Sequence, residues 1–381
     1  MNETTPAAPS LADHMADHRS LADTSLKKYF ETAVKFEASD ILMRGGQKVK
    51  LRLRGVLKSL DTPPLNEEEF EKEIESSLSP AHWDQYAKHG SVDIGTDFLM
   101  ADGASHRFRI NIFRTRGRSA IAARRVSNKI LNFKDLYLPP ALEKVCSVHQ
   151  GLVLLAGVTG SGKSTTIASM LQYINENRAC HIVTLEDPIE YLFADAKAIV
   201  NQREIGIDVT DFNMGMRAMV RENPDVILIG EMRDRETFET ALQAAETGHL
   251  VFGTIHASSA SQAFGRIYDL FPAEERDNIR TMLAFQMVAF VYQKLMPTIS
   301  GDPQRVPAVE VLLQSAPTRK YILEGKEHDL DEVIKEHRND GMQTFTDSLV
   351  DLVERNLVAP KVAIATSAKP EEVKMRLKGI S

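Results

Sequence analysis

The sequence predicts an α/β fold: a doubly wound, mostly parallel sheet domain preceded by a smaller α+β domain. Short continuous apolar runs at 152–156, 182–185, 226–229 and 250–254 alternate with helical stretches, the texture of strands buried on both faces of a parallel sheet. Upstream, Val49, Leu51 and Leu53 alternate with Lys50, Arg52 and Arg54, and Phe108, Ile110 and Ile112 alternate with Arg109 and Asn111, the period-2 pattern of half-buried strands. Finally, 381 residues exceed what one core comfortably fills, so two domains are expected.

Taken in chain order, residues 1–22 are Pro-, Ala-, Ser- and Thr-rich without periodicity and read as a disordered tail. A helix is expected from about Ser25, then the Val49–Leu51–Leu53 strand. Phe70, Ile74 and Leu78 recur at helical spacing behind Asn66, a good N-cap followed by acidic residues. The first domain is expected over 23–126, and a linker carrying Pro139-Pro140 over 127–145. The second domain fills 146–381, and its part from about Ala263 reads as mainly helical.

Composition narrows the class of protein. Hydrophobic content of 43% and charged content of 26% are those of a soluble globular chain. The net charge of −7 speaks against a nucleic-acid coat, although a local basic groove is compatible with it. Two cysteines, Cys146 and Cys180, stand far apart and in no metal-ligand spacing, so neither a disulfide framework nor a four-cysteine zinc site is expected. No basic segment followed by an apolar one marks a secretory signal. The longest apolar run, 282–291, is interrupted by Gln286 and falls short of the roughly 20 residues that span a bilayer. Direct membrane insertion is therefore not expected, and action at a membrane would run from the cytoplasmic face through a partner.

The chemistry is concentrated after the 152–156 run, where Gly157-Val158-Thr159-Gly160-Ser161-Gly162-Lys163-Ser164 precedes Thr165 and a helical pattern. Strand, glycine-rich loop, helix is the context that a phosphate-binding loop needs. Its glycines let successive N–H groups turn toward phosphate oxygens, and the helix adds its positive end. Lys163 supplies a flexible charge to the β- and γ-phosphates, and the Ser164 hydroxyl is a ligand for Mg²⁺. The 226–229 run carries Glu231 to a strand end, where a carboxylate can hold a magnesium-bound water or polarise the attacking one, or simply cap the next helix. Leu185-Glu186-Asp187-Pro188-Ile189-Glu190 places a second acidic cluster after another strand. On chemistry alone, Glu186 and Glu231 are equal candidates for the general base.

Two histidines, His249 and His256, flank the 250–254 run; one at a strand end beside a nucleotide can sense the γ-phosphate, although a lone histidine there is more often structural. Between Ala104 and Val126 stand seven arginines and no carboxylate: Arg107, Arg109, Arg114, Arg116, Arg118, Arg124 and Arg125. A solvated basic face accounts for Arg118. The rest suit a sheet edge that binds anions, either nucleic-acid phosphate or the γ-phosphate of a nucleotide held by a neighbouring subunit. Without interleaved aromatics for base stacking, the nucleotide is favoured over nucleic acid.

Taken together, these motifs resemble the type IV pilus retraction ATPases, the PilT/PilU branch of the type II/IV secretion ATPase superfamily. The resemblance runs through Phe108-Arg-Ile-Asn-Ile-Phe-Arg114, the 157–165 loop, Leu185-Glu-Asp-Pro-Ile-Glu-Tyr191, Val200-Asn-Gln-Arg-Glu-Ile-Gly206, Pro224-Asp-Val-Ile-Leu-Ile-Gly-Glu-Met-Arg-Asp234, Ala245-Glu-Thr-Gly-His-Leu250 and Gly341-Met-Gln-Thr-Phe345. It implies a PAS-like first domain, a RecA-like ATPase domain and a homo-hexameric ring that hydrolyses ATP with Mg²⁺ to drive pilus retraction and twitching motility. It assigns Glu186 and Glu190 to an acidic box, Glu231 to the Walker B position, and His249 and His256 to a histidine box. It also brings Arg109 and Arg114 to the bound phosphates as the ring closes. An inner-membrane platform protein is the implied partner, with a second retraction ATPase alongside, and the implied place is the cytoplasmic side of the inner membrane. The chain has neither the extra N-terminal domain nor the tetracysteine module of extension and secretion ATPases, which makes an assembly or type II secretion ATPase the lesser alternative. Gln293-Lys-Leu-Met-Pro297 and Arg305-Val-Pro-Ala-Val-Glu310 are more PilU-like, and Pro317-Thr-Arg-Lys-Tyr-Ile-Leu-Glu324 only partly matches the PilT C-terminal motif. An accessory motor dependent on a partner is thus a further alternative.

Overall fold

The computed structural model describes residues 20–53, 55–126 and 129–379. The chain divides into two compact units, Met1–Asn128 and Lys129–Ser381. The tail expected over 1–22 lies outside the described residues up to position 19; Ser20 then caps a 3-10 turn, Leu21–Asp23, whose Leu21 is buried.

The first unit is a six-stranded antiparallel sheet in the order β3-β2-β1-β6-β5-β4, with β1 Asp40–Arg44, β2 Lys50–Leu53, β3 Val56–Ser59, β4 Ser91–Leu99, β5 Ser105–Thr115 and β6 Arg118–Arg125. Three helices, Lys27–Lys35, Glu67–Ser77 and Pro80–His89, cover the face to which Phe108, Ile110 and Ile112 point. Asn66 caps the second helix by accepting from Glu69 N–H at 3.1 Å, as its position before three glutamates suggests. Phe30 stacks on Phe98 at 4.0 Å, and Phe108 meets Phe30 edge-on at 5.0 Å. The arginines were expected at a sheet edge, but β5 is an interior strand hydrogen-bonded to both β4 and β6.

The second unit is built on a seven-stranded sheet in the order β13-β12-β7-β11-β10-β8-β9. Its strands are β7 Gly151–Ala156, β8 His181–Glu186, β9 Ile199–Glu204, β10 Val226–Ile229, β11 Leu250–Ile255, β12 Met287–Pro297 and β13 Arg305–Leu313. All neighbours are parallel except β12 and β13. Every residue of β7, β10 and β11 is buried, because helices cover both faces of a parallel sheet. In chain order the central strands read fifth, first, fourth, third, second, so the loop after β7 opens beside the ends of β11 and β10. From Lys129 onward, the stretch expected to be a linker places Phe133, Leu138, Leu142 and Val145 in a core with β7.

The C-terminal part is mainly helical, as expected, but a β-hairpin that was not expected is set into it. The run expected as one apolar stretch is split: the helix Arg276–Gln286 stops and β12 begins at the next residue, then pairs with β13 over nine residue pairs. A continuous apolar run carries no period that separates a buried strand from a buried helix. Helices Phe345–Glu354, Pro360–Thr366 and Pro370–Leu377 then close a smaller core around Met296, Val306 and Leu349.

Candidate active site

Beyond Ala156 the chain must turn away from the sheet, and Gly157 and Gly162 make this possible with φ of 151° and 90°. Gly162 is the N-cap of the 15-residue helix Lys163–Asn177, whose first N–H groups have no intrahelical acceptor and face the carboxyl end of the sheet. Lys163 Nζ donates to Gly157 O at 2.8 Å and Val158 O at 3.2 Å. Burial lowers the Lys163 pKa, against the raising effect of Glu231 and Glu190.

Around this loop a pocket is lined by Thr159, Gly160, Lys163, Ser164, Glu186, Glu190, Tyr191, Glu231, Arg233, Thr254 and His256 among others. All lie at or just beyond the carboxyl ends of β7, β8, β10 and β11, where ligands bind in open α/β sheets. Tyr191 OH and Thr165 Oγ1 lie 2.7 Å apart, tying the acidic segment to the helix. Thr254 Oγ1 donates to Gly230 O at 2.7 Å and joins the ends of β11 and β10.

The two carboxylates that the sequence could not rank stand in opposite environments. Glu186, last residue of β8, is almost wholly buried, and burial pushes it up to about 7. Hydrogen bonds from Thr184 Oγ1 at 2.7 Å, Gln202 Nε2 at 3.1 Å and the Glu190 N–H oppose that rise, while the charge of Glu190 adds to it. Glu231, one turn residue beyond β10, is held below the usual carboxylate range, chiefly by the Arg233 guanidinium that donates to it. His256 Nε2 lies 3.0 Å from its other oxygen, and Lys163 adds a further positive charge. One carboxyl group is therefore poised to exchange a proton near neutrality, and the other stays charged.

The histidines separate. His256 follows β11 and enters the pocket, whereas His249 precedes it, about 20 Å away at ~3.3 Å per strand residue. Its Nδ1 sits 2.9 Å from Ala244 O and 3.3 Å from Thr247 Oγ1, away from the phosphate loop. Gly157, Val158, Ser161, Gly162 and Thr165 shape the loop without lining the pocket. Arg109 and Arg114 belong to the first unit. There Arg107, Arg118 and Arg124 pair with Asp97, Glu67 and Asp40, and Arg114 stacks 5.0 Å from the Tyr86 ring centroid. Arg109 is exposed on β5 and has no carboxylate partner among the described residues. Sequence reasoning gave no role to Arg233, although it lies two residues from Glu231, nor to Thr184, Gln202 or Thr254. These polar residues lie in or beside strands and carry no pattern of their own.

Comparison with known proteins follows the same lines. Residues 15–319 match the family described as "Type II/IV secretion system protein". The chain is 37% identical over 334 residues to the type IV pilus retraction ATPase PilT of Pseudomonas aeruginosa, covering 88% of this chain and 95% of that one. It is 32% identical over 352 residues to the type IV pilus ATPase PilU of the same organism, covering 92% and 91%. Among solved structures, that of the pilus retraction motor PilT with bound ADP superposes with a TM-score of 0.84 at 40% identity, over 92% of this chain and 99% of the other.

Proposed function

The chain belongs to the type II/IV secretion system protein family, and from that premise we propose that it is an ATP hydrolase whose turnover drives type IV pilus retraction. The observation that carries this reading is the pairing, in one pocket, of a phosphate loop with two carboxylates of opposed character, Glu186 and Glu231. In this reading the N–H groups of residues 157–165 and Lys163 hold the polyphosphate. Glu231 orients the attacking water, His256 fixes the Glu231 carboxylate, and Glu186 is the group able to take the proton.

Magnesium fits the donor set. The Ser164 hydroxyl and the Glu231 carboxylate are hard oxygen donors, and among the described residues no group of three or more acidic, histidine or cysteine side chains is placed to hold a metal ion by itself. That suits a cation held mainly by nucleotide and water rather than by a protein cage. When bound, it would neutralise charge developing on the phosphate oxygens.

Arg109, without a carboxylate partner among the described residues, is with Arg114 the candidate to reach the nucleotide of a neighbouring subunit, and the homo-hexameric ring that the family resemblance implies is the working assembly. Among the described residues no helix is long and apolar enough to cross a membrane. The likeness to the pilus retraction ATPase PilT, rather than that absence, supports a place at the cytoplasmic face of the inner membrane, coupled to a pilus platform protein. An accessory role beside a second retraction ATPase is the other reading, supported by the match to PilU. Steady-state ATPase measurement on the purified protein tests the enzyme, and complementation of a retraction-deficient strain by this protein alone separates autonomous from accessory motors. No turnover would remove the first reading; turnover without restored retraction would favour the second. Arg109→Ala is expected to retain ATP binding while hydrolysis falls roughly 10²-fold or more.

A further inference from the structure

We propose that Gln293, a residue of the C-terminal hairpin, is the positioning residue that sets the phosphate loop in its anion-binding shape. The proposal rests on the reading of that loop as a nucleotide site and adds a part that the loop motif does not contain. β12 runs parallel to β7 with Tyr292 opposite Ala156, so the next residue, Gln293, lies beside the point where the loop leaves the sheet. It is 2% exposed, which is unusual for an amide unless both ends are bonded.

Both ends are bonded, and to opposite sides of the turn. Gln293 Nε2 donates to Ser161 O at 2.9 Å, and Gln293 Oε1 accepts from Thr166 Oγ1 at 2.7 Å. Ser161 and Thr166 are themselves buried, and they bracket Gly162, Lys163, Ser164 and Thr165. A single side chain thus fixes the separation of the two residues between which the lysine and the hydroxyl project. The packing is close as well: a Cβ at Gly162 would lie 2.7 Å from Gln293 Nε2, and one at Gly157 would lie 2.5 Å from Gln293 O. The backbone of β12 thus excludes a side chain at Gly157, and the Gln293 amide crowds one at Gly162. The loop's shape is stored in a strand about 130 residues downstream, where no local motif reveals it.

The test measures binding of ADP and of adenosine to the purified full-length protein by calorimetry, for wild type, Gln293→Met, Thr166→Val and Thr166→Ser. Removing the amide, or its hydroxyl partner, leaves buried polar groups unpaired and frees the turn, and is expected to weaken ADP binding roughly ten- to hundredfold. Adenosine, which makes no phosphate contacts, should bind within about twofold of wild type in every variant, and Thr166→Ser, which keeps the hydroxyl, should restore ADP affinity. In the Gln293→Met/Thr166→Val double variant the losses should not add, because each removes the same link. Equal ADP affinity in wild type and Gln293→Met, or a parallel loss of adenosine binding, overturns the positioning role. If Gln293→Met does not fold, Thr166→Val against Thr166→Ser decides by the same criterion. Failure of wild type itself to bind ADP would overturn the nucleotide reading instead, so the two failures are distinct.

Discussion

The two ends of the parallel sheet in the second unit carry similar side chains and use them differently. At the amino end, the backbone N–H of His181 donates to Asp225 Oδ2 at 2.8 Å, and the His181 and His249 rings lie near Asn223 O and Ala244 O at 3.2 Å and 2.9 Å. Each of these contacts joins a side chain to the backbone of a neighbouring strand, helix or turn. At the carboxyl end, Lys163, Glu186, Glu231 and His256 face one pocket, where Glu231 feels the charges of Lys163 and His256 and Glu186 that of Glu190. A histidine and an acid at a strand end are thus structural or chemical according to which end it is. Strand direction, fixed by the crossovers, decides between them.

The largest break in that comparison should come from Lys163→Ala. Losing the ammonium from the loop is expected to weaken ATP binding roughly ten- to hundredfold and to bring hydrolysis down by about 10³ or more, read by calorimetry and phosphate release. Unchanged binding would mean that the loop does not grip phosphate.

Next in size is Glu186→Gln, where the readout is the pH profile. Burial holds Glu186 at about 7, so its base form, and with it hydrolysis, should rise as pH passes through that value in wild type. The variant should lose that step together with roughly 10²-fold of the rate. Stability moves the other way. A carboxyl whose folded pKa is raised stabilises most below its unfolded value and loses that contribution as pH rises toward 7 and beyond. Wild type should therefore lose on the order of 2–3 kcal/mol more than Glu186→Gln between pH 4.5 and 8, measured by urea unfolding. Equal pH slopes in the two proteins would place the burial of Glu186 in error.

The smallest effects sharpen the contrast. His256→Ala removes a partner 3.0 Å from Glu231 and should cost about tenfold in hydrolysis with little change in stability. His249→Ala, at the other end of the same strand, should leave hydrolysis within about twofold while costing about 1 kcal/mol of stability through the lost hydrogen bond to Ala244. Reversed outcomes would dissolve the distinction between the ends.

Much of this is legible in the amino-acid sequence. The loop could be read because its chemistry demands glycine, lysine and serine at fixed spacing, and β7, β10 and β11 because full burial leaves continuous apolar runs. On the residues alone His249 and His256 could not be told apart, since both flank one run and only the direction of β11 separates them; the family resemblance placed both beside the nucleotide, with the catalytic part given to His256. The hairpin of β12 and β13 was not singled out within the mainly helical C-terminal part, because the apolar residues after Gln286 are largely buried and show no alternation. With that hairpin went Gln293, whose partners lie far away in sequence. Arg107, Arg118 and Arg124 looked unpaired only because their acids, Asp97, Glu67 and Asp40, sit outside the arginine-rich segment.

The central claim is that the carboxyl end of the sheet is a site of ATP hydrolysis in which Glu231 acts on the water rather than on binding. It is met most directly by measuring ADP affinity and ATP turnover together on purified Glu231→Gln. Binding within about threefold of wild type with turnover reduced at least ~10²-fold is the expected result. Turnover close to wild type, in a variant that still binds ADP, would contradict it.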